Sequence, residues 1–153
     1  MRKMFCLVLA VLLALSMTAC GGKETAKSAD LKALYETMVP TLPQMLQLDD
    51  TTAMNFLGID AADCTQMAVA ICGEGLRADE VWLIEAKDED AFARIKALAE
   101  NRLKAKADET VSYNPEQYAV VEKAQLLTEG NYLFLLVSPD VDTLKAAVEA
   151  ALQ

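Results

Sequence analysis

The chain has 153 residues, with 23 acidic side chains against 14 basic ones, a formal net charge of −9 and no histidine. So acidic a chain lacks the basic footprint that nucleic-acid phosphates require. Without histidine, serine–histidine and cysteine–histidine nucleophile pairs and histidine-bearing zinc sites are excluded.

The chain opens with Arg2 and Lys3, an apolar run from Phe5 to Leu15, and the small-residue approach Met17-Thr18-Ala19 to Cys20. That is the layout of a secretory signal. With a cysteine at the cut point, it resembles a bacterial lipoprotein signal. The resemblance implies that residues 1–19 are removed and that Cys20 becomes the first residue of the mature protein. Its thiol and new amino group would then carry acyl chains, tethering the chain to the outer face of the cell membrane. Met17 departs from the leucine that such signals prefer, and Gly21 stands where inner-membrane retention uses an acid. The competing reading is a single transmembrane anchor. Phe5–Leu15 spans roughly 16 Å as a helix, whereas a bilayer core is about 30 Å thick. Two acyl chains anchor stably where one does not. The mature part keeps 12 basic residues against 23 acidic ones. Its charge opposes adsorption to anionic lipid, which leaves the lipid to hold it.

Residues 20–28 read as a lipid-anchored polar linker (Gly21-Gly22-Lys23-Glu24-Thr25-Ala26-Lys27-Ser28) reaching about 16 Å. Residues 29–153 read as one domain. Leu31, Leu34, Tyr35 and Met38 repeat at helical spacing over Ala29–Val39, and Pro40 ends that run. Residues 41–60 are apolar and rich in turns; Thr51–Leu57 fits a short helix or a loop, closed by Gly58. Met67–Cys72 alternates as a strand, and Glu80–Ala86 is a second, apolar on both faces in its middle. Asp88-Glu89-Asp90 opens a helix to about Ala107, with Phe92, Ile95, Leu98 and Leu103 on its inner stripe. Asp108–Gln117 reads as a loop, Tyr118–Leu127 as a third strand, and Glu129-Gly130-Asn131 as a hairpin turn. Tyr132–Val137 is the most apolar strand. Ser138-Pro139-Asp140 offers an N-cap, a first-turn proline and an acid for a last helix facing inward through Val141, Leu144, Val148 and Leu152.

The expected fold is therefore α+β, a four-stranded antiparallel sheet with element order β-β-α-β-β-α behind an N-terminal helical segment. Hairpin pairing and a right-handed crossover give strand order 1-2-4-3, a permuted ferredoxin-like arrangement with both long helices on one face. The other face would be open unless residues 29–57 cover it. Trp82, Tyr118, Tyr132 and Phe134 are its candidate residues. Strands one and three would be the edges, the latter blunted by Glu122 and Lys123.

Leu48-Asp49-Asp50, Gly58-Ile59-Asp60, Gly130-Asn131-Tyr132-Leu133 and Ser138-Pro139-Asp140 give the chain a further likeness. Over about Leu31 to Gln153 it resembles a family of small uncharacterised lipoproteins of low-GC Gram-positive bacteria, built on a domain of unknown function. That resemblance implies no activity and no site residues.

Candidate chemistry is sparse. Asp88-Glu89-Asp90 lacks the glycine and distal acid of a calcium loop and reads as a helix start. Asp49-Asp50 and Asp108-Glu109 read as solvated pairs. Trp82 reads as core, and Met38, Met45, Met54 and Met67 as core fillers. Cys64 and Cys72, eight residues apart on one strand, would lie roughly 26 Å apart, too far for a disulfide. No catalytic, metal or cofactor residue is assigned; Cys20 is the one site residue, for lipidation. The expected function is a non-catalytic, membrane-tethered binding or interaction module with a protein or small-molecule partner. The alternatives are an envelope enzyme using paired carboxylates and a structural envelope component that associates through an edge strand.

Overall fold

The computed structural model describes residues 28–153. The expected leader (residues 1–19), Cys20 and the expected linker up to residue 27 lie outside the described residues. Among the described residues no helix is long and apolar enough to cross a membrane.

The chain enters through α1 (Leu31–Met38), capped by Asp30, whose carboxylate accepts the Ala33 N–H at 2.9 Å. A 3₁₀ turn at Val39–Thr41 carries Pro40 and ends the helix. Next come β1 (Met45–Gln47) and α2 (Asp50–Leu57). Asp49 caps α2 by accepting the Thr52 N–H at 2.7 Å, and Gly58 stops it with φ of 75°, the left-handed conformation glycine adopts without strain. β2 (Cys64–Cys72) and β3 (Glu80–Ala86) pair antiparallel. The long α3 (Glu89–Tyr113) and short α4 (Pro115–Glu122) lead to β4 (Gln125–Glu129), β5 (Tyr132–Val137) and α5 (Val141–Ala151). Gly130, with φ of 55°, takes the first place of the two-residue turn joining β4 to β5.

The sheet is open, antiparallel and five-stranded, in the order β1-β2-β3-β5-β4. This corrects the four-stranded expectation. Met45–Gln47 pairs with Ala70–Cys72, so the strand expected at an edge is an inner one, and β1 and β4 are the edges. Three residues are too few for alternation to be visible in the sequence. Tyr118 does not begin a strand. Asn114 accepts the Gln117 N–H and Pro115 takes the first turn, so Pro115–Glu122 coils as α4. Glu122 and Lys123 accordingly end a helix instead of blunting a strand. Asp108 and Glu109 lie inside α3, which runs six residues past Ala107. The last helix starts later than expected. Asp140, not Ser138, is its N-cap, while the Ser138 hydroxyl accepts the Asp140 N–H at 3.2 Å.

The largest correction concerns the layers. Residues alternate cleanly along β3 and β5 between two cores. Trp82, Ile84, Leu133, Leu135 and Val137 pack with Ala91, Ile95 and Ala99 of α3, Ala53 of α2 and Val121 of α4. Val81, Leu83, Phe134 and Leu136 pack with Leu31, Leu34, Tyr35 and Met38 of α1 and with Val141, Leu144 and Val148 of α5. The two long helices therefore cover opposite faces, and neither the expected ferredoxin-like layering nor its open face forms. The physical reason is that a strand apolar on both sides needs cover on both sides. Crossover handedness governs α3, which joins strands of one sheet, and leaves α5 free to close the second face because no strand follows it. Burying each such side chain contributes about 1.5–3 kcal/mol, so leaving one face bare would forfeit a large part of the stability.

Gln66 locks α1 onto the sheet. Its amide donates to Ala29 O at 3.0 Å and to Glu85 Oε2 at 2.8 Å, and its carbonyl accepts the Leu31 N–H at 3.2 Å. The Tyr132 hydroxyl accepts the Ala29 N–H at 3.2 Å. The start of α1 is thus held by two inner strands of the sheet, β2 and β5.

Candidate functional site

The residues expected on an open face divide between the layers. Trp82 lies in the α3 core, Tyr132 and Phe134 lie in the α1–α5 core, and Tyr118 is half-buried on α4. Tyr132 and Phe134 stack at 6.1 Å with an 8° interplanar angle, which is packing and not a ligand platform. Met38 is buried, and Met45 and Met67 pack against the cores, whereas Met54 is exposed. The acidic pairs act locally. Asp88 accepts the Ala91 N–H at 2.8 Å and caps α3. Asp49 caps α2, and the Thr52 hydrogen bond lowers its pKa. Cys64 and Cys72 carry free thiols, as their spacing requires. Burial first, then the charges of Asp63, Asp60 and Asp50, push the Cys64 thiol up to about 11.

Charge gathers around Glu80, at the start of β3. The loop between β2 and β3 and the C-terminal half of α3 enclose a recess of about 280 Å³, whose lining includes Cys72, Leu76, Arg77, Arg102, Glu109 and Tyr113. At its base Glu80 is fully buried, and its carboxylate collects donors from three side chains. Trp82 Nε1 donates to Oε1 at 2.7 Å, Arg102 donates from Nε at 3.0 Å and from Nη2 at 2.8 Å, and Lys106 Nζ lies at 2.9 Å. Lys106, itself buried, also donates to Ala78 O at 2.9 Å. Beside this group, Arg77 grips the buried Asp79 through Nε at 3.0 Å and Nη2 at 3.2 Å. Gln117 of α4 fastens the loop by accepting the Ala78 N–H at 2.7 Å.

Burial alone would raise the Glu80 pKa. The Arg102 hydrogen bonds and the Lys106 and Arg102 charges outweigh it and hold the carboxyl below its ordinary value. Glu80 is therefore a fixed negative charge at neutral pH, and burial of an ion in this way is tolerable only because its partners are in place. Among the described residues no buried side-chain nitrogen or oxygen lacks a hydrogen-bond partner. Arg77, Arg102 and Lys106 balance Asp79, Glu80 and Glu109, so the recess is neutral in a chain of net charge −9.

A signal for this site is present in the sequence. The inward stripe of α3 passes from Ala91, Ile95 and Ala99 to Arg102 and Lys106 at the same three- and four-residue spacing. Continued past Ala99, it places both cations opposite Glu80, which shares the inward face of β3 with Trp82. Ending the helix near Ala107 hid Glu109, Thr110 and Tyr113, which the extra turns bring to the same recess.

No curated protein and no solved structure matches the chain. The model of the family described as Domain of unknown function (DUF4358) matches residues 39–138. That segment runs from the turn after α1 through β5 and holds every residue of the recess. The chain belongs to the DUF4358 family.

Proposed function

We propose that this protein is a lipid-anchored, extracytoplasmic binding module that holds its ligand in the recess between the β2–β3 loop and α3. The observation that carries the reading is the self-contained charge network beneath that recess. Asp79 and Glu80 are each committed to an arginine, and Glu80 is held ionised. A carboxylate so fixed is a poor proton donor, which weighs against acid–base work by this pair. A rigid, charge-balanced floor under a small cavity instead suits recognition. The membrane tether rests on the Met17-Thr18-Ala19-Cys20 sequence behind Arg2, Lys3 and the Phe5–Leu15 run. The gripped start of α1 supports it too, because the domain offers a firm attachment for a short linker.

Fractionation of cells expressing the wild-type chain and Cys20→Ser tests the tether. Wild type is expected in the membrane, and the variant is expected to lose processing at residue 20 and lipid attachment. Identical processing and membrane retention of both would overturn the tether.

A further inference from the structure

We propose that the recess takes a zwitterionic α-amino acid with an apolar side chain. The proposal rests on the reading of the recess as the binding site and names its ligand class. Three features of the recess match the three parts of such a molecule.

The first is a pair of guanidinium edges. Arg77 and Arg102 each bind their carboxylate through Nε and Nη2. Their Nη1 groups have no hydrogen-bond partner among the described residues. Each Nη1 keeps its N–H donors free for the ligand carboxylate. The second is Glu109, an exposed acid of the lining that forms no ion pair among the described residues. It is the natural counterpart of the ligand ammonium. The third is apolar. Leu76 and Tyr113 line the recess and, at 81% and 88%, are the two most exposed large hydrophobic side chains among the described residues. Apolar side chains left bare beside a cavity mark a contact surface. Neutrality of the recess favours a ligand with no net charge, since an added anion would meet the field of an acidic chain. A volume of about 280 Å³ fits a molecule of this size.

Cys72 lies in the lining and provides the readout. The full chain, purified in detergent, is alkylated with iodoacetamide, and each cysteine is followed by peptide mass spectrometry. L-leucine is the probe, and 4-methylpentanoate, which lacks the amine, is its control. Leucine at about ten times its Kd is expected to slow Cys72 alkylation about tenfold. The Cys64 rate should stay unchanged. Glu109→Gln, an exposed and conservative change, is expected to abolish the protection. Tyr113→Ala should weaken it. Absence of slowing with leucine and phenylalanine up to about 10 mM, weaker than any millimolar site, would overturn the proposal. Equal protection by 4-methylpentanoate, or full protection in Glu109→Gln, would overturn it as well. These outcomes are independent of the Cys20→Ser fractionation, so failure here leaves the tether standing and failure there leaves the ligand class standing.

Discussion

Replacing Glu80 by glutamine keeps the shape of the side chain and removes its charge. Arg102 and the buried Lys106 then face each other across a site with no balancing carboxylate. Removing one partner of a buried ion pair costs about 3–5 kcal/mol, because an uncompensated charge stays buried. Lys106→Met is the informative comparison. It keeps the apolar stem and leaves Arg102 to neutralise Glu80 through Nε and Nη2. Its cost is limited to the Ala78 carbonyl and one ionic contact, about 1–3 kcal/mol. Glu80→Gln should therefore be the more damaging change. Urea and thermal denaturation at pH 7 of chains beginning at Gly21, followed by circular dichroism, measure both. At about 4 °C per kcal/mol for a domain of this size, Glu80→Gln should lower Tm by roughly 12–20 °C. The same network sets a pH dependence. The Glu80 pKa in the folded chain lies below its ordinary value of 4.5, so its contribution is complete above that pH. It is lost as pH falls through the folded pKa, and the gap between wild type and Glu80→Gln should narrow in acid. A smaller loss for Glu80→Gln than for Lys106→Met, or a gap that widens in acid, would refute the reasoning.

Cys64 should be nearly inert to iodoacetamide at pH 8. A thiol with pKa of about 11 keeps only about one part in a thousand as the reactive thiolate. Cys72 should be alkylated faster, and equal rates by peptide mapping would contradict the raised pKa of Cys64. Gly58→Ala should destabilise the domain by about 1–2 kcal/mol. The position has φ of 75°, and an added Cβ would meet Leu98 Cδ2 at 3.3 Å. Thermal denaturation of the variant checks this, and an unchanged Tm would exclude that backbone conformation.

Much of the architecture is legible in the pattern of the chain. Glu80–Ala86 and Tyr132–Val137 are strands with the bounds their apolar runs suggest, and the Gly130-Asn131 turn joins two antiparallel strands. The pairing of β2 with β3 and of β4 with β5, and the place of β5 between β3 and β4, follow from hairpins and crossover handedness. What escaped is instructive. The doubly apolar middles of β3 and β5 demand two covered faces, and only tertiary context assigns α1 and α5 to the second. Tyr118–Val121 has the composition of a strand, yet Asn114 and Pro115 start a helix there. Arg102, Lys106 and Glu80 look like ordinary surface charges one at a time. They become a site only when the phase of α3 is carried forward and matched to the inward face of β3, a long-range relation that local propensity does not encode.

The mass of the intact protein extracted from the membrane of a lipoprotein-processing bacterium bears most directly on where this domain works. Lipidation at Cys20 requires a chain starting at that residue and carrying two or three acyl chains. A full-length, unmodified chain, or one cut elsewhere and free of lipid, would contradict it.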